Sequence, residues 1–160
     1  MRTNSKKIIP SLLEPVDCPK IHPAMKEFLG YCLFKLSLQI RSRMEKDLAQ
    51  FEMVAPQAAI LAMISLIGPM TQVELGQLTG IDKATMVRLL DGLEKNEFLK
   101  RVNHAQDRRA KVLVITKQGE KVLVQIRKIR NEAENVVLTP LSLKEQELLR
   151  GLVAKLILHG

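Results

Sequence analysis

Several things are scarce in this sequence, and each scarcity closes off a class of protein. There is no run of about 18 apolar residues, so no transmembrane helix is expected. Only two cysteines, Cys18 and Cys32, occur in 160 residues, so no disulfide framework holds the fold. With 46% hydrophobic residues a core forms without one. The three histidines, His22, His104 and His159, lie far apart without metal-ligand spacing, and no metal site is expected. There is no glycine-rich phosphate loop, no HExxH and no GxSxG, so neither an enzyme nor a cofactor is expected. The start of the chain carries charge and brief apolar runs broken by Pro10, Pro15 and Pro19. That does not resemble a secretory signal, and a cytoplasmic protein is expected. Acidic residues are also short: 17 Asp and Glu face 25 Lys and Arg, a net charge of +8. This favours a polyanionic partner, although it speaks to association rather than fold, and a ribosomal or membrane-surface protein would share it.

What is present is organised around Thr71 to Thr116. Thr71 and Glu74 form a capping box that opens a first helix, with Val73, Leu75 and Leu78 as its apolar positions. Gly80 stops it, since glycine accepts the left-handed conformation past a helix end. Asp82 is a good N-cap for a second helix, and Ile81 and Met86 have staple spacing. Two short helices joined by a turn containing Gly are a helix-turn-helix signal. In the second helix Met86, Leu89, Leu90 and Leu93 share one stripe. Ala84, Arg88, Asp91 and Lys95 lie opposite, flanked by Thr85 and Val87. Small and hydrogen-bonding residues followed by Arg suit a helix in a major groove: Arg reads guanine, Thr bonds base or phosphate, and a short apolar group meets the thymine methyl. An ordinary amphipathic surface helix has the same pattern, so this helix alone does not decide.

A hairpin follows. Phe98 to Val102 and Lys111 to Ile115 are β-prone runs around a polar, basic loop. Residues 100 to 111 hold Lys100, Arg101, Arg108, Arg109 and Lys111 against one acid, Asp107. A basic tip beside a reading helix reaches an adjacent minor groove, where narrow A·T tracts attract Arg. Asp107 suits an internal role, bonding loop amides or an Arg and fixing the tip.

Residues 55 to 120 resemble the winged helix of the multiple-antibiotic-resistance regulator (MarR) family. The resemblance rests on Leu75-Gly76-Gln77-Leu78-Thr79-Gly80-Ile81-Asp82, on Thr85-Met86-Val87-Arg88-Leu89-Leu90-Asp91-Gly92-Leu93-Glu94-Lys95-Asn96, and on Asp107-Arg108-Arg109-Ala110 with Val112, Val114 and Thr116. It implies a dimeric transcription regulator in which Arg109 enters a minor groove while Asp107 holds the wing. It also implies a small aromatic or amphipathic effector bound between the dimer helices and the winged unit. One departure is Gly92, where the family often has Arg. It removes a charge and costs about 1 kcal/mol of helix propensity relative to Ala, which puts base preference in question.

The flanks read as support. Residues 1–22 form an N-terminal arm, irregular because of its prolines. A long helix over 23–52 starts at Pro23 and carries Met25, Phe28, Leu29, Cys32, Leu36 and Ile40, a candidate dimerisation element. Ala55 to Ile67 is a scaffold helix ended by Gly68-Pro69. The winged helix-turn-helix spans 53–118. C-terminal helices over 119–160 complete the dimerisation region: one from the Thr116 cap to roughly Val137, and one from the Ser142–Glu145 capping box. The last carries Leu148, Leu149, Leu152, Val153, Leu156 and Ile157 and is expected to pack on residues 24–50 and on a second chain. Peroxide-sensing members of the family carry a reactive cysteine near the start of the first long helix. Cys32 follows Tyr31 but lies about two residues from that place, and Tyr31 is the only tyrosine. On an apolar stripe a buried, inert thiol is the usual outcome. A disulfide between Cys18 and Cys32 is open in principle.

The expected fold is therefore mainly α, a winged helix-turn-helix with a small β-hairpin wing between dimerisation helices. The expected function is sequence-specific binding to a palindromic double-stranded DNA operator by a ligand-responsive homodimeric repressor. Thr85, Val87 and Arg88 would read bases beside Ala84. Thr71, Gln72 and Lys83 would meet phosphates, and Arg108, Arg109 and Lys111 would make the wing basic. The alternatives are a thiol-based regulator acting through Cys32 and a winged-helix protein adaptor without base reading.

Overall fold

The computed structural model describes residues 22–103 and 110–159. Residues 1–21 of the expected arm, with Cys18, lie outside the described residues. So do the wing-tip positions His104, Asp107, Arg108 and Arg109.

Among the described residues six α-helices and three short strands follow in order: α1 (Leu29–Leu48), α2 (Ala55–Ile67), β1 (Met70–Thr71), α3 (Gln72–Thr79), α4 (Lys83–Lys95), β2 (Leu99–Asn103), β3 (Lys111–Ile115), α5 (Lys117–Leu138) and α6 (Leu143–His159). The fold is mainly α with one small antiparallel sheet. The long helix expected from Pro23 is interrupted. His22 Nδ1 accepts from the Ala24 amide at 3.2 Å and starts a single 3-10 turn, Pro23–Met25. The extended backbone of Phe28 then separates that turn from α1.

The core sits under the winged unit. Leu48, Ile60, Leu61, Leu75, Met86, Leu89, Leu90, Leu93, Leu99 and Leu113 are almost completely enclosed. α5 closes the unit with Val122, Leu123, Ile126 and Ile129. These residues lie at helical and strand spacing in sequence, so each element brings one apolar side to a shared centre.

The expected two-stranded hairpin is a three-stranded sheet, in the order β1-β3-β2. β1 pairs Met70 with Leu113 and Thr71 with Val112, antiparallel. β2 pairs with β3 from Leu99↔Ile115 to Asn103↔Lys111. Thr71 is thus both the last strand residue and the cap of α3. Two further expectations fail in part. Of the three apolar positions in α3 only Leu75 is buried, while Val73 and Leu78 are exposed. At about 100° per residue Val73 lies nearly opposite Leu75. The expected packing of α6 on the first long helix is slight: only Leu149 and Val153 turn toward a cleft shared with α1, α2 and α5. Leu148, Leu152, Leu156 and Ile157 are exposed.

Candidate nucleic-acid interface

Two caps fix the helix-turn-helix. The Thr71 hydroxyl accepts from the Glu74 amide at 3.2 Å, and Glu74 Oε2 accepts from the Thr71 amide at 2.7 Å and from its hydroxyl at 2.9 Å. Gly80 ends α3 at φ 67°, a left-handed conformation that glycine adopts without a Cβ clash. Asp82 opens α4, its Oδ1 accepting from the Thr85 amide at 3.0 Å. That amide bond holds the Asp82 carboxyl below its ordinary value, with the Thr85 side chain adding to it. The negative charge therefore lies at the positive end of α4, where it stabilises the helix.

α4 has two distinct sides. Met86, Leu89, Leu90 and Leu93 are 0–1% exposed. Lys83, Ala84, Arg88, Asp91 and Lys95 are exposed, and Thr85 and Val87 are half-buried at the margin. Lys83, Arg88 and Lys95 carry no ion pair among the described residues. Asp91 is different: its Oδ1 accepts from Arg101 Nη2 at 2.8 Å. Arg101 also pairs with Glu94 through its other terminal nitrogen, and its backbone amide donates to Glu94 Oε1 at 3.2 Å. Burial works against the Arg101 charge, but Asp91 and Glu94 outweigh it and hold the guanidinium above its ordinary range. The stalk of the wing is thereby tied to the second half of α4.

The register places the remaining candidates. Thr71 faces Val112, so Gln72 sits at the foot of the wing and Lys111 one residue further along β3. Lys111 is exposed, and its Nζ donates to Asn103 Oδ1 at 2.5 Å across the last described rung. The Thr71 hydroxyl is committed to its cap.

Sequence reasoning missed Gln57 and the meaning of Gly92. Gln57 is 7% exposed. Its Oε1 accepts from the Val54 amide and its Nε2 donates to the Leu89 carbonyl of α4, both at 3.0 Å. A Cβ at Gly92 would run into that Nε2. Position 92 therefore faces α2, not the exposed side of α4, and its missing charge takes nothing from that side. The same-face spacing of Gly92 with Leu89 was the available signal.

Between α1, α2, α5 and α6 lies a cleft of about 900 Å³. Leu36, Ile40, Met44, Ala59, Leu123 and Ile126 line it, with Arg41 and Arg127 among its polar residues. Cys32 is half-buried, and its thiol donates to the Lys26 carbonyl at 3.2 Å, tying α1 to the preceding turn. Among the described residues no His, Cys, Asp and Glu cluster could hold a metal. No single described helix is long and apolar enough to cross a membrane.

Residues 53–111, from the residue before α2's cap to the base of β3, match the MarR family model. That stretch is similar to the winged helix of the MarR family. The likeness extends beyond the matched residues. A crystal structure of MarR superposes with a TM-score of 0.76 at 25% identity, covering 81% of this chain and 95% of that one. A probable transcriptional regulator from Pseudomonas aeruginosa gives 0.72 at 28% identity, covering 82% and 98%. A cysteine-to-serine mutant of E. coli MarR complexed with operator DNA gives 0.70 at 21% identity, covering 80% and 92%, a likeness of fold. In MarR-family terms α3 and α4 are the helix-turn-helix, and β2 and β3 are the wing.

Proposed function

We propose that this protein is a sequence-specific double-stranded DNA-binding transcription regulator that works as a homodimeric repressor. The observation that carries this reading is α4: one side fully buried, the other presenting Lys83, Ala84 and Arg88 to solvent within a MarR-family winged helix. Arg88, Thr85 and Val87 read bases in the major groove. Lys83, Gln72 and Lys111 meet phosphates, and Thr71 acts chiefly as the cap that sets Gln72. Arg108 and Arg109 make the wing tip basic, Arg109 enters the minor groove, and Asp107 holds the tip.

The dimer reading is supported by apolar surface that one chain leaves exposed. Phe28, Leu29, Leu33 and Phe34 around the start of α1, and Leu148, Leu152, Leu156 and Ile157 on α6, are exposed large apolar side chains of the kind that interfaces cover. Two-fold symmetry of such a dimer sets two copies of α4 about one DNA turn apart, matching a palindromic operator. The apolar cleft supports the effector reading, since its size suits a small aromatic or amphipathic molecule. Such a molecule lowers DNA affinity only by binding better to the DNA-incompetent arrangement. The acid Asp91 and the missing charge at Gly92, which would speak for an adaptor without base reading, are absorbed by packing: Asp91 serves Arg101, and Gly92 makes room for Gln57.

Selection from a random duplex library at about 0.15 M salt, where phosphate attraction alone does not dominate, tests the reading. We expect an enriched palindrome, lost with Arg88→Ala. No enriched sequence, with binding that vanishes as salt rises, would overturn it.

A further inference from the structure

Gln57 is a buried amide that bonds to the helix to which DNA reading is assigned above. Its Nε2 crosses from α2 to the Leu89 carbonyl, a separation of 32 residues in sequence. Within the helix that carbonyl is also the acceptor for the amide four residues on. Gly92, one turn from Leu89 on the same side, leaves the space that the amide fills. The first turn of α2 has a second tether. Ala55, next to Val54, donates its amide to Glu45 Oε1 at 3.2 Å, and the same oxygen accepts from Arg41 Nε at 3.0 Å. Glu45 is 7% exposed, and Arg41 lies in the wall of the cleft. Two neighbouring amides of α2 are therefore held by two buried side chains. One side chain, Glu45, belongs to α1 and holds Arg41 of the cleft wall, and the other reaches the back of α4.

We propose that Gln57, seated against Gly92, is a positioning residue that fixes how α4 presents its DNA-reading face, and that the first turn of α2 couples this seat to Glu45 and Arg41 at the cleft. This rests on the DNA-reading function proposed above. The apolar contacts of Met86, Leu89, Leu90 and Leu93 hold α4 down, but burial has no direction and leaves roll and slide poorly defined. A hydrogen bond has direction, so one bond from a rigid neighbour sets both. Base readout needs that definition, whereas phosphate attraction does not.

The test compares affinity for the selected operator and for a scrambled duplex, in wild type, Gln57→Met and Gly92→Ala. Gln57→Met keeps the volume and removes both the donor to Leu89 and the acceptor of the Val54 amide, while Gly92→Ala pushes the amide out. Each is expected to lower the operator-to-scrambled ratio about tenfold with the salt slope unchanged, because phosphate contacts are retained. A merely structural role lowers the melting temperature and leaves the ratio alone. Glu45→Gln is expected to lower the ratio by a smaller factor, about twofold, and to add nothing in the Gln57→Met background. Gly92→Ala is expected to become harmless to stability once residue 57 is Ala, a cycle that needs no DNA. An unchanged ratio in folded Gln57→Met overturns the positioning role. An additive Glu45→Gln overturns the coupling. A wild type that selects no sequence removes the DNA-reading function and this proposal with it, whereas a selective wild type with unaffected variants removes only the proposal.

Discussion

α4 and α6 are both rich in leucine, and the chain treats them in opposite ways. α4 buries four apolar residues on a narrow stripe, against α2, α3 and β2 of its own chain. α6 spreads Leu148, Leu149, Leu152, Val153, Leu156 and Ile157 over a wide arc and offers only Leu149 and Val153 to the cleft. Polar joints near its start hold it in place. Gln146 Nε2 donates to the Leu138 and Leu141 carbonyls, and Arg150 pairs with Glu134 at 3.1 Å. Apolar content thus says that a helix needs a cover, and the width of the stripe says how much. Where that cover comes from is a separate matter: among the described residues α4 finds it, and α6 does not.

Removing one residue from each helix sharpens the contrast. Leu90→Ala in α4 is expected to cost about 3 kcal/mol of unfolding free energy, because a cavity opens in a closed core; denaturant titration measures it. An effect under about 1 kcal/mol would mean that α4 packs loosely, unlike the structure described. In α6, Leu152→Asp with Leu156→Asp is expected to change the stability of the single chain by less than about 1 kcal/mol, since neither residue is enclosed. Light scattering should instead show a shift from dimer to monomer, with weaker operator binding. A double variant that stays dimeric would move the interface off α6. The smallest effect compares the helix starts. Asp82 caps α4 and Glu145 caps α6, where Ser142 hydrogen bonds hold its carboxyl below its ordinary value. A carboxylate whose folded pKa is depressed stabilises above its unfolded value and loses that contribution as pH falls through the folded value. Both carboxyls should therefore titrate below the ordinary values of their residue types, and each helix start should fray as pH falls through its own carboxyl's folded value. Carboxyl chemical shifts followed by NMR check this, and ordinary values at either site would remove that cap.

Much of this was legible in the sequence because it is local. Thr71–Glu74, Asp82 and Ser142–Glu145 are capping signals spanning at most four residues, and the structure contains all three. The stripe of α4 obeys helical spacing and was equally plain. What escaped depends on distant partners. β1 is two residues long and becomes a strand only because β3, some forty residues later, lies beside it. Asp91 looks like a misplaced charge on a DNA-facing helix until Arg101 arrives from β2. Gly92 reads as a lost contact until Gln57 arrives from α2. Val73 and Leu78 share apolar character with Leu75 but not its burial: Val73 points nearly opposite at helical spacing, and what leaves Leu78 uncovered is set by neighbouring elements rather than by α3 itself.

The pairing of β1 with only Leu113 and Val112 makes the outer wing modular. The rungs that anchor the sheet to the helix-turn-helix end at Val112, and the stalk closes at Asn103 opposite Lys111. Directly opposed strand residues of this kind accept a short two-residue turn such as Asn-Gly. The register of β2 on β3 and the cap of α3 are both set by residues on the helix side of that last rung, which makes this part of the wing a fixed mount.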